Sequence, residues 1–129
     1  MTVMAPISWG ELIDKITILE IKQERLSDPD QIANVEKELA ALCATRDAAL
    51  PEDVEVVKDA SALKMINEAL WEVENDIRDC ERDQEFGETF IDLARSVYRV
   101  NDRRAEIKRR INKNLGSDLV EEKSYNAYD

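Results

Sequence analysis

The chain has 129 residues, of which 43% are hydrophobic and 36% charged, with a net charge of −11 and no histidine. Three Gly and three Pro are too few for an all-β sandwich, and the lack of His excludes His triads and His general bases. Two cysteines, far apart, leave too few ligands for an ordinary zinc site, so no cofactor is expected, and the acidic balance argues against nucleic-acid or anionic-membrane binding.

Length and patterning together indicate one all-α domain. Ser8-Trp9-Gly10-Glu11 has the form of a capping box in which Ser8 and Glu11 satisfy each other's backbone donors, and it starts a helix predicted to reach about Ser27. Leu12, Ile16, Leu19 and Leu26 share one face of that helix. Ile18 and Ile21 lie opposite them, so the helix is expected either to be central or to meet a second subunit through Ile18 and Ile21.

Asp28-Pro29 restarts the pattern, with Asp28 as N-cap and Gln31 three residues on. Ile32, Val35, Leu39, Leu42 and Cys43 mark the core side of a second helix that ends at Leu50-Pro51. Residues 51–60 are acidic and weakly patterned, and they lead to a third helix over about 60–84 with the stripe Leu63, Ile66, Leu70, Val73, Ile77 and Cys80. Core thiols are the simple reading of both cysteines. A fourth helix is predicted from Glu88 to Leu115, with Gly116 just past its end.

These elements give two antiparallel helical hairpins, either a four-helix bundle or an elongated helical dimer, over residues 1–116, followed by a tail at 117–129. No apolar run is long enough to span a bilayer and no secretory leader is evident, so a cytoplasmic protein is expected.

Charge is distributed unevenly. Residues 93–115 carry eight basic and two acidic groups, whereas residues 28–92 carry six basic and nineteen acidic. Placed on a helix, Arg95, Arg99, Arg103 and Arg110 fall on an outer face. Arg104 falls inside the apolar stripe of Leu93, Val97, Val100, Ile107 and Ile111, with Asn101, Lys108 and Tyr98 beside it. A guanidinium there needs a counter-charge.

Two readings follow. One is a structural salt-bridge network. The other is a pocket between helices one and four in which Lys15, Lys22, Asn101, Arg104 and Lys108 converge on an anion, with Gln23 in the stripe of helix one and Glu20 the obvious carboxylate nearby. Tyr98, and Tyr125 from the tail, would cover a ring. Asn67, Trp71, Glu74 and Arg78 form a second stripe on helix three, with Trp71 read as packing.

The carboxylate pairs Glu11/Asp14 and Glu72/Asp76 have spacings that could hold Mg²⁺, but Glu72 and Asp76 lie opposite the core stripe and Asp14 is read as pointing away from that of helix one. The expected function is therefore a non-catalytic, homo-oligomeric protein binding a nucleotide-like or sugar-phosphate anion. A protein-interaction module and a Mg²⁺-dependent helical nucleotide hydrolase, or another small helical enzyme, are the alternatives.

The blocks ISWGELIDKITILEIKQERL (7–26), LARSVYRVNDRRAEIKRRIN (93–112) and GSDLVEEKSYNAY (116–128) together resemble an uncharacterised family of small bacterial and phage proteins known under a domain-of-unknown-function label. The resemblance implies a helical domain, with some relatives associated with glycosyltransferase or polysaccharide genes, and carries no catalytic residue. It also directs attention to EEKSY at 121–125, a tail segment that can fold back over an interhelical pocket.

Overall fold

The computed structural model describes residues 1–51 and 54–129, and contains four helices: α1 (Trp9–Arg25), α2 (Pro29–Ala49), α3 (Val57–Arg82) and α4 (Glu88–Asn114). The all-α expectation holds. Of the acidic 51–60 stretch, Glu52 and Asp53 lie outside the described residues, and α3 begins at Val57, a few residues earlier than its pattern predicts. None of the described helices is long and apolar enough to cross a membrane.

The arrangement is less symmetric than two equal hairpins. Helix α1 packs against all three others, whereas α2 packs only on α1 and buries a single residue, Val35. The core lies where α1, α3 and α4 meet, around Ile13, Leu63, Ile107 and Ile111, with Trp9 packed against its edge. Helix α1 is buried on both of its apolar faces: Leu12, Ile16 and Leu19 on one, Ile21 on the other. Ile21 is 1% exposed, covered by the chain's own helices, and Ile18 is half-buried. Of the face expected to meet a second subunit, Ile21 is thus covered within the protomer while Ile18 stays partly open. Gln23, predicted within the apolar stripe, is exposed near the end of the helix.

The α1 N-terminus is joined to the end of α4. A helix leaves its first backbone N–H groups without internal partners. Here Glu11 N–H donates to Ser8 Oγ at 3.2 Å, Gly10 N–H to Asn112 Oδ1 at 2.6 Å, and Trp9 N–H to Ser117 Oγ at 2.8 Å. Ser8 therefore caps as predicted, but the Glu11 carboxylate, expected to complete the box, is engaged elsewhere.

Ser117 is brought there by a Schellman motif. Gly116 takes φ +62°, Ser117 N–H donates to the Asn112 carbonyl at 2.8 Å, and Gly116 N–H donates to that of Lys113 at 3.4 Å. At Asp28 the side chain accepts from Asp30 N–H at 3.3 Å, with Pro29 opening α2. Cys80 is buried and Cys43 half-buried, in keeping with packed thiols.

Close approach explains Gly10. A Cβ at this position would lie 2.5 Å from the Lys108 carbonyl oxygen and 3.0 Å from Asn112 Oδ1. Helix propensity alone predicts that Gly10→Ala stabilises by about 0.5–1 kcal/mol. The clash reverses the sign: urea denaturation should show a loss of about 1–3 kcal/mol, and a gain would show that the two helices can part without cost.

Candidate functional site

The site grows from one carboxylate. Asp14 is 1% exposed, and a buried charge of this kind persists only when paired and hydrogen-bonded. Arg104 meets it with a two-toothed fork, Nε to Oδ1 at 2.9 Å and Nη2 to Oδ2 at 2.5 Å. Asn67 from α3 donates to the same Oδ1 at 2.9 Å and to Thr17 Oγ1 at 2.9 Å, while Thr17 donates to the Asp14 carbonyl at 2.8 Å. Lys108 stands one turn further along α4. It donates to Glu11 and Glu121, each at 2.9 Å, and lies 3.9 Å from Asp14.

This overturns two sequence expectations. Asp14, read as pointing away from the core stripe, is the buried anchor. Glu20 is not the neutralising group; Asp14, Glu11 and Glu121 are. The signal was present in the spacing: Asp14 lies four and seven residues before Ile18 and Ile21, on the second apolar face of α1. A helix buried on both faces buries whatever sits on either. Asn67 falls in the second stripe of α3, where periodicity names no partner for it; Glu121 comes from the tail and has no helical period to reveal it.

The predicted site residues separate into groups. Arg104 and Lys108 belong to the network. Lys15 is exposed on α1 and reaches Glu11 at 3.6 Å, and Lys123 reaches Glu121 at 3.9 Å. The connected set is thus four cations and three carboxylates, a surplus of one. Lys22 lies two turns beyond Asp14, half-buried, and makes no ion pair among the described residues.

Tyr98, Asn101 and Tyr125 come together with Lys123 and Tyr128 around a cavity of about 790 Å³ between α4 and the tail. The tail runs back along α4: after Glu121 meets Lys108, Glu122 meets Arg109 at 3.6 Å, and Tyr128 donates to Asp102 at 2.5 Å and packs edge-on against Tyr98 at 5.0 Å.

Asn101 is also part of the wall of a second cleft of about 480 Å³, between α1, α3 and α4. Its lining includes Arg104, Trp71, Arg78, Ile18 and Ile21. The Asn67-Trp71-Glu74-Arg78 stripe thus flanks a cleft as well as packing. Arg104 Nη1 has one intramolecular acceptor, Asn101 Oδ1, at a long 3.4 Å.

Three of the four carboxylates with Mg²⁺ spacing are held by cations. Glu11 and Asp14 hold Lys108 and Arg104, and Glu72 pairs with Arg25 while Asp76 is exposed. Among the described residues no group of three or more Cys, Asp or Glu converges in a metal-binding arrangement.

Electrostatics follow from these contacts. Burial pushes the Asp14 carboxyl upward, but hydrogen bonds from Arg104 and Asn67 outweigh it and hold the group below the ordinary carboxylate range. Burial likewise pulls Lys108 downward, and its hydrogen bonds to Glu11 and Glu121 reverse that, leaving its pKa raised. Glu121 is lowered chiefly by its hydrogen bond from Lys108.

Removing one partner should strand the other. Arg104→Met leaves a buried carboxylate uncompensated and should cost about 3–5 kcal/mol in denaturant unfolding, and adding Asp14→Asn should recover much of that loss. The pH dependence has a definite sign. Because the native pKa of Asp14 is lowered below the unfolded value of about 4, its contribution is complete above that value and lost as pH falls through the native one. The cost of Asp14→Asn should therefore shrink as the pH is lowered from about 7 to about 3. An equal cost at both ends would mean that the charge of Asp14 does not stabilise the fold.

Comparison with curated proteins and with solved structures finds no match. The family model described as Family of unknown function (DUF6165) matches residues 3–128, and the chain belongs to that family.

Proposed function

We propose that this is a non-catalytic binding protein for a small anion, of nucleotide-like or sugar-phosphate class, held in the cleft between α1, α3 and α4. The observation that carries the reading is the state of Arg104. Asp14 fixes its guanidinium through two of its three nitrogens, leaving Nη1 with only the 3.4 Å bond to Asn101. A pre-positioned guanidinium edge of this kind binds phosphate or carboxylate with little further loss of side-chain entropy.

The surroundings suit such a ligand. Arg78, held by Glu74 of the same wall at 2.6 Å, supplies a second guanidinium, while Trp71, Ile18, Ile21 and Leu70 supply apolar and aromatic wall. The volume of about 480 Å³ lies within the range of small-molecule sites, roughly 300–1,000 Å³. Asn101 connects this cleft to the tail cavity, where Tyr98 and Tyr125 offer ring surfaces and Lys123 a further charge. The drive for binding is hydrogen bonding to a fixed donor rather than relief of a large charge surplus, since Lys108 and most of the charge on Arg104 are already compensated.

Thermal shift against a panel of nucleotides and phosphorylated sugars tests the reading. A ligand present at about 100 times its Kd should stabilise by about 2.7 kcal/mol. Arg78→Ala and Asn101→Ala should each weaken binding roughly tenfold, the scale of one lost hydrogen bond to a charged group, with little change in the unliganded melting temperature. No stabilisation by any anion would sink the proposal. Phosphate release from a nucleotide in the presence of Mg²⁺ would replace it with the hydrolase reading.

A further inference from the structure

The outer half of the α3–α4 hairpin has the heptad pattern of a coiled coil and, among the described residues, is not covered by a third helix. On α3 the residues Leu63, Ile66, Leu70, Val73, Ile77 and Cys80 alternate spacings of three and four, and on α4 Phe90, Leu93, Val97, Val100, Arg104, Ile107 and Ile111 do the same. That is the heptad spacing of an antiparallel coiled coil. Helix α1, at 17 residues, hydrogen-bonds to α3 only between Lys64 and Glu72 and to α4 only between Arg104 and Asn112. Burial is deepest where α1 covers the hairpin, at Leu63, Ile107 and Ile111, with Ile66 and Leu70 half-buried beside them. Beyond α1, Val73, Ile77 and Leu93 are half-buried, Cys80 is buried, Phe86 is 48% exposed and Ile91 is 52% exposed.

The charges on this arm are separated along its length. Residues 74–92, around the tip, carry eight Asp or Glu and two Arg, a balance of −6. Further down α4, Arg95, Arg99 and Arg103 continue the four-residue row that begins at Ile91. All three are exposed, and none makes an ion pair among the described residues. On the α3 side, Asp76, Glu81 and Glu85 are likewise exposed and unpaired among the described residues. Asp76 is six residues before the end of α3 and Arg95 seven after the start of α4, so they stand at similar heights but form no ion pair among the described residues. Glu81 and Glu85 lie nearer the tip, and the hairpin does not neutralise these charges itself.

The geometry points to a second copy of this chain as the occupant. Two arms laid side by side and antiparallel place the acidic tip of each against the Arg95-Arg99-Arg103 row of the other. Residues 95–103 lie about 12–24 Å from the tip at 1.5 Å per residue, so an overlap of that order matches both charge sets at once. A two-fold arrangement uses the same surface twice, as an isologous interface must. It also brings Ile91, the 52% exposed apolar residue that opens the arginine row, under the cover of the partner. The inference is independent of the ligand cleft, and it moves self-association from Ile18 and Ile21 to the arm.

The mass of the full chain in solution, measured by light scattering at about 100 μM, decides the matter, using charge variants confined to exposed positions. The wild type should have twice the chain's 14.8 kDa. The Arg95→Glu/Arg99→Glu/Arg103→Glu variant and the Asp76→Lys/Glu81→Lys/Glu85→Lys variant should each have the single mass while retaining wild-type helicity by circular dichroism. Mixing the two should restore the doubled mass, because the reversed charges complement each other. A monomeric wild type, a dimer indifferent to the arginine reversal, or a mixture of folded variants that stays monomeric would each overturn the proposal.

Discussion

A single buried carboxylate sets the terms for this fold. Asp14 lies on the one helix that touches all the others, and its desolvation has to be offset by groups that come from elsewhere in the chain. Arg104 from α4 and Asn67 from α3 supply them directly, and Lys108 adds its field from the next turn. Each of these bonds also specifies a register. Slide α4 by one turn along α1 and the guanidinium fork loses its target, leaving two charges in a poor dielectric. Polar residues in a helical core often have this role, trading some stability for a unique alignment.

The interlock at the N-terminus of α1, one turn before Asp14, works in the same direction. Gly10 allows α1 and α4 to approach until Asn112 reaches a backbone N–H, and the Gly116 turn brings Ser117 to another. Two points of registration, about one helical turn apart, hold α1 against α4. Lys108 then draws the tail back through Glu121, so the chain's last segment is positioned by the same helix that carries the core. The cavity beneath Tyr125 and Tyr128 is a consequence of that return path.

Stability is unevenly spread as a result. Three helices enclose the region around Leu63 and Ile111, while α2 leans on α1 alone and the arm beyond Trp71 consists of two helices. A two-helix seam removes less apolar surface from water than a three-helix junction, which is why Ile77 and Leu93 stay half-buried while Leu63 and Ile111 are fully covered. The cleft between α1, α3 and α4 and the arm both lie where the three-helix core ends and side chains are held without being fully covered.

Much of this was legible in the sequence. The caps at Ser8 and Asp28, the stop at Leu50-Pro51 and the turn at Gly116 are local signals, and all four helices lie within a few residues of their predicted bounds. Arg104 stood out because a cation inside an apolar stripe has to be answered. What answered it was not legible. The partner is 90 residues away, and Asp14 looks solvent-facing on a wheel ruled by the first apolar face of α1. Periodicity tells which side of a helix is buried but not which neighbour buries it. The sequence by itself determined helices, ends and the presence of a buried charge, because these depend on interactions within a turn or two. Only the tertiary structure decided that Asp14, Glu11 and Glu121 neutralise Arg104 and Lys108, that Ile21 is covered within the protomer, and that the arm is left half-covered, because each depends on how distant helices pack.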